Sequence, residues 1–188
     1  RKPEAKHAIL EMYVQHGLSL PDTAPMALHR GRLDLLEKLL AKEPGLLDRR
    51  FTFAEIYPPE LGCDGDEVQM THGASLEGVT LLHMCCDYDE LEIAKLLITK
   101  GADVNARASV DADGFGGHTP LFSTVVSQAN FWMNHGKGAK VAPFTELLLQ
   151  NGADPNVRAS LRKKMHPGYM DDTLREYRDV TPLSWGRR

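Results

Sequence analysis

Eight histidines and three cysteines are the residues of this chain best suited to hold a metal ion or act as nucleophiles. Their spacing supports neither role. His72, His118, His135 and His166 are scattered, without the paired spacing of a zinc site. Cys85 and Cys86 are adjacent, so they lack the intervening residues of a Cys-x-x-Cys ligand pair, and Cys85 is expected to be a small core residue. Cys63 lies in a polar stretch with nothing beside it to activate a thiol. Asp111-Ala112-Asp113-Gly114 resembles the start of a calcium loop, but Phe115 stands where that loop needs a third ligand and Phe122 where it needs a closing Glu. A hairpin turn is expected there instead. Arg162-Lys163-Lys164 has the charge to touch phosphate. Asp171, Asp172, Glu176 and Asp179 follow it, which predicts an exposed loop of mixed charge. No Gly-x-Ser-x-Gly elbow, phosphate loop or His-Glu-x-x-His is present. The expectation is therefore no enzyme, no cofactor and no metal.

The elements that would position any site must come from a chain of 188 residues, enough for one domain or a short repeat array. The net charge of −4 gives no general reason to expect nucleic acid or an anionic membrane as partner. The longest apolar runs are too short to span a bilayer. The polar start, Arg1 to His7, is unlike a signal peptide. Its lack of an initiator Met, with the ending Gly186-Arg187-Arg188, leads us to expect a piece of a longer chain. An odd cysteine count with two adjacent is a poor disulfide framework, so reduced thiols and a cytoplasmic location are expected.

Internal repetition organises the rest. The clearest unit runs from Gly78-Val79-Thr80-Leu81-Leu82-His83 through Leu91–Ile98 to Gly101-Ala102-Asp103-Val104-Asn105. A second copy opens at His118-Thr119-Pro120-Leu121 and closes at Asn151-Gly152-Ala153-Asp154-Pro155-Asn156. A third opens at Thr181-Pro182-Leu183 and stops with the chain. Residues 22–50 form a degenerate earlier copy, and Ala8 to Gly17 look like the closing helix of another. This pattern resembles the ankyrin repeat, with its Thr-Pro-Leu-His-x-Ala opening and Leu-Leu-x-x-Gly-Ala-Asp ending. Leu81 departs from the usual Pro, Cys85 from the Ala, and Phe122 and Ser184 from the His.

The resemblance implies an all-α solenoid of about four or five helix-turn-helix units, with long inter-repeat loops. It forms a single domain over 1–188, with units near 1–20 (partial), 22–50, 78–107, 117–158 and 179–188 (partial). It also implies that His83 hydrogen-bonds neighbouring turns. The residue chemistry fits such units. A Thr hydroxyl caps a helix, and Pro suits its first position. Leu82, Leu121 and Leu183 are expected to face inward. Small Cys85 and Thr124 let the paired helices approach. Leu96–Ile98 and Leu147–Leu149 supply core faces, and Gly101 and Gly152 end their helices.

The spacing is irregular. Thr80 to Gly101 is 21 positions but Thr119 to Gly152 is 33, which places an insertion near Gln128 to Val141. That insertion holds Phe131, Trp132 and Met133 in a row. Gly101 to Thr119 takes 18 positions, Gly152 to Thr181 takes 29, and Glu43 to Thr80 takes 37, where a regular array would take about 12. Such loops either carry binding function or have drifted at little cost. The aromatic run either contacts a partner or folds back as a plug over the adjacent groove.

The expected function, implied by the resemblance, is recognition of a protein partner through the concave surface of hairpin tips and first helices. The candidate contacts are Phe115, His118, Phe131, Trp132 and Met133, on a molecule expected to be monomeric. The alternative is an intramolecular or self-associating scaffold.

Overall fold

Threonine opens five of the helices that build this chain, and the computed structural model describes residues 3–61, 74–125, 142–166 and 171–187. α1 is Pro3–Gln15, α2 Ala24–His29, α3 Leu33–Lys42 and α4 Phe53–Ile56. α5 is Leu81–Tyr88, α6 Leu91–Thr99, α7 Pro120–Thr124, α8 Pro143–Gln150 and α9 Pro182–Gly186. Thr23, Thr52, Thr80, Thr119 and Thr181 stand at N-caps in extended conformation. The Thr23 hydroxyl accepts from the Met26 amide, satisfying a donor that the first turn would leave unpaired. Thr52 with Glu55 and Thr181 with Ser184 close reciprocal capping boxes. In place of Glu at that third position, His83 Nδ1 lies 3.3 Å from the Thr80 amide and 2.9 Å from its hydroxyl.

The second helices end as the glycines require. The Gly101 amide donates to the Ile98 carbonyl and the Ala102 amide to the Leu97 carbonyl, a Schellman pattern, with Gly101 at φ +99°. Gly152 at +88° repeats it with Leu149 and Leu148.

The helices pack in series. α5 packs on α6 and α7 on α8 within pairs. α2, α5, α7 and α9 meet in succession between pairs, and α6 meets α8. One core runs through Leu28, Leu36, Leu82, Cys85, Ile93, Leu97, Leu121 and Leu148. Cys85 and Thr124 are both buried, as their small size suggested. A pair of short helices cannot cover its own apolar face, so each neighbour supplies the cover. Two expected core positions differ. Leu149 and Leu183 are 44 and 61% exposed.

The all-α expectation needs correcting. Residues read as a mixed-charge loop form an antiparallel hairpin, β1 (Ala159–His166) and β2 (Asp171–Val180). Leu161 pairs with Tyr177 across the strands, and both are buried with Phe122, Val180 and Trp185 in a second cluster. Those few inward residues hold the hairpin while its charges occupy the other positions. A bulge separates the Ala159–Val180 and Leu161–Tyr177 pairs, and Asp179 takes φ +52° there. The connection after the first unit also contains α4, whose Ile56 is buried.

Candidate functional site

Three backbone turns project between the helix pairs and are joined edge to edge. In the first, the Phe51 amide donates to the Val79 carbonyl and the Gly78 amide to the Phe51 carbonyl. The second spans Ala108 to His118, where the Ala108 amide donates to the His118 carbonyl and the Asp111 amide to the Phe115 carbonyl. The third is the β1–β2 hairpin. The Ser109 amide ties the second turn to the Gly78 carbonyl at 2.9 Å, and the Gly116 amide ties it to Ser160 at 2.7 Å. Gly116 has φ +117°, and a Cβ there would lie 2.0 Å from the Ser109 carbonyl oxygen, so only glycine allows this approach.

Arginines repeat the same join on the side-chain level. Arg50 Nε donates to the Arg107 carbonyl at 2.8 Å, Arg107 to the Arg158 carbonyl at 2.6 Å, and Arg158 to the Asp179 carbonyl at 2.8 Å. Each arginine sits one residue before its turn and reaches the backbone of the next turn, or of the same turn for Arg158. All three are exposed, so the staples line an outer edge.

The second and third turns are locked by Phe115. Its ring is buried, with the Arg162 guanidinium 3.9 Å and the Arg178 guanidinium 4.3 Å from its centroid. Arg162 also reaches Asp111 at 3.1 Å, Asp113 at 2.7 Å and Glu176 at 3.5 Å. The hydrogen bond that Arg162 donates to Asp113 leads the effects that hold its guanidinium above its ordinary pKa. Asp111 meanwhile accepts from the Asp113 and Phe115 amides, which shapes the hairpin turn expected at 111–114. The cluster fixes the third turn upon the second and leaves Val110 and Leu174 as exposed apolar residues on them.

Beneath the turns lie neutral histidines. His83 donates from Nε2 to the His118 carbonyl at 3.1 Å, which links its unit to the next and fulfils its expected structural role. Burial draws His83 down to about 4. His118 stacks edge-on against His83 and Phe122, and burial draws it to about 3, with the Ser75 backbone opposing the fall. His29 donates from Nε2 to the Ile56 carbonyl at 2.8 Å between Tyr57 and Tyr88, and burial draws it to about 3 as well. Cys85 and Cys86 are free and buried, and desolvation raises both thiols well above their ordinary pKa. This arrangement offers shape and charge rather than an activated nucleophile. Among the described residues no cluster of His, Cys, Asp and Glu could hold a metal ion.

Phe115 and His118 do not present side chains to a partner as expected. The two arginines cover one, and the helix stack covers the other. Phe131, Trp132, Met133 and the Gln128–Val141 insertion around them lie outside the described residues, as do Cys63, His72 and His135. Sequence reasoning missed Arg162 and Arg178 as organisers of the turns. Their signal was the charge alternation across 162–179, which we read as a solvated loop.

Residues 77–109 match the family model of the ankyrin repeat, covering the end of the first turn, α5, α6 and the start of the second turn. No curated protein matches the chain.

Proposed function

We propose that this chain, in which residues 77–109 match the ankyrin repeat, is an ankyrin-repeat protein that binds a protein partner through its joined turns and first helices. Ankyrin repeats are generally protein-interaction modules, typically non-catalytic ones. The helix pairs are read as a solenoid of four or five units in one domain, with the turns on its concave side. The observation that supports this surface most is the third turn. Its strands hold eight and ten residues, where the second turn spans only Ala108 to His118, and it is anchored by the Arg162–Phe115–Arg178 stack. A preformed surface binds without first losing much conformational entropy. Val110, Leu174, Arg175 and Arg178 are exposed there and replace Phe115 and His118 as proposed contacts. Phe131, Trp132 and Met133 remain proposed contacts from the sequence alone. The free thiols of Cys85 and Cys86 support a reducing compartment, the cytoplasm. No helix among the described residues is long and apolar enough to cross a membrane.

The test is capture of the partner by the intact chain, followed by variants. Leu174→Glu and Val110→Glu should lose capture, whereas Glu92→Lys and Lys95→Glu on the exposed side of α6 should keep it. Retained capture by both turn variants would remove this surface from consideration.

A further inference from the structure

Two arginines of the joined turns have no acidic partner. Among the described residues no carboxylate lies within 4.0 Å of Arg50 or Arg107, whereas Arg158 meets Asp179 at 2.9 Å and Arg178 meets Glu176 at 3.2 Å. Each unanswered guanidinium is nevertheless fixed in place, Arg50 by the Arg107 carbonyl and Arg107 by the Arg158 carbonyl. A guanidinium carries five N–H donors in a planar fork. The staple occupies one of them, so most remain for an anion at this exposed edge.

Val110 stands beside that charge. A Cβ at Gly117 would lie 3.3 Å from Arg107 Nη2 and 3.2 Å from a Val110 methyl, so the two side chains flank the same glycine. Val110 is 60% exposed. A guanidinium of fixed orientation and an apolar side chain therefore share one patch on the second turn. Carboxylates match the guanidinium fork with two parallel hydrogen bonds. An arginine already held in place loses little freedom on pairing, and that loss is what usually makes an exposed ion pair weak.

Resting on the reading of the joined turns as a protein-binding surface, we propose that the segment they bind is acidic and extended, with Asp or Glu carboxylates pairing with Arg107 and Arg50. Neighbouring helices pack about 8–10 Å apart, and an extended chain rises about 3.3 Å per residue. Acidic residues about three apart in the partner thus meet successive arginines, and an apolar neighbour rests on Val110. A peptide of this kind needs only the local pair of cations. A nucleic acid strand binds through many phosphate contacts, and the net charge of −4 opposes it.

Fluorescence anisotropy of a labelled oligoglutamate of about ten residues, titrated with the intact chain at about 0.15 M salt, tests this against an oligoglutamine of equal length. Oligoglutamate should bind with a Kd below about 1 mM, and oligoglutamine should not bind. Arg50→Gln and Arg107→Gln should each weaken binding about tenfold. Both also remove a staple, so Val110→Lys and Val110→Glu supply a pair that leaves every staple in place. The lysine should tighten oligoglutamate binding and the glutamate should weaken it, each by about threefold. Four results would each overturn the proposal: oligoglutamate that binds no better than oligoglutamine, arginine variants that bind it like the parent, Val110 variants that shift its affinity in the same direction, or a thymidine oligonucleotide that binds more tightly than oligoglutamate. Partner capture that survives both arginine variants yet fails in Leu174→Glu would overturn the acidic class alone and leave the turn surface standing.

Discussion

Lowering the pH from 7.5 to 5.5 should destabilise this protein sharply through His29, His83 and His118. All three are buried, and burial depresses their native values to about 3, 4 and 3. In the unfolded chain each returns to the ordinary histidine value of about 6.5. The unfolded state therefore binds more protons below pH 6.5, and native stability falls as pH drops through the window from about 6.5 towards 4. At pH 5.5 each unfolded histidine is about nine-tenths protonated while its native counterpart is neutral. One pH unit below the unfolded value costs about 1.4 kcal/mol per group, so three groups cost about 4 kcal/mol. That is a large share of a typical stability of about 5–15 kcal/mol. The result requires only that the native values lie well under 5.5. Urea unfolding at pH 7.5, 6.5 and 5.5, followed by tryptophan fluorescence, measures it. Replacing His118 by Gln should remove about a third of the pH dependence whatever it does to stability at pH 7.5. A free energy that is flat or rising from pH 7.5 to 5.5 would refute the neutral buried histidines.

The glycine caps, the second core cluster and the thiols give further expectations. Gly101→Val and Gly152→Val should each lower stability by about 1–2 kcal/mol or more in thermal melts. A Cβ meets no atom within 4 Å at either site, so the cost is backbone strain alone and Gly101→Asn should be milder. Trp185→Ala should cost about 3 kcal/mol or more, since its ring is buried among Phe122, Leu161 and Tyr177, and chemical denaturation reads that loss directly. Cys85 and Cys86 should resist alkylation in the native protein and react in denaturant, as peptide mass spectrometry will report; labelling of either at native conditions would contradict their burial.

The parts that were legible in the sequence are those whose signals are local. The Thr80 opening and Gly101 closing define a unit because capping and left-handed termination act over a few residues, and α5 and α6 follow from them. His83 was legible for the same reason, although its His118 partner was not. The hairpin was hidden because, among its described side chains, Ala159, Leu161, Tyr177 and Val180 carry the inward face, too few for an alternating pattern to emerge from the charges. Arg162 looked solvated because Phe115, Asp111 and Asp113 lie some fifty positions away in the chain. α4 did leave a local signal, Thr52-Phe53-Ala54-Glu55, which the length of the surrounding connection obscured. Leu183 read as core because its pattern is that of a first helix, while among the described residues nothing covers it.

The central claim is that the joined turns form the partner surface, and hydrogen-exchange mass spectrometry of the chain with its captured partner tests it most directly. The account predicts slowed exchange in the backbone of 108–118 and 171–180 on binding, with the outer faces of α3 and α6 unchanged. Protection confined to α3 and α6, with the turns exchanging as in the free chain, would contradict it.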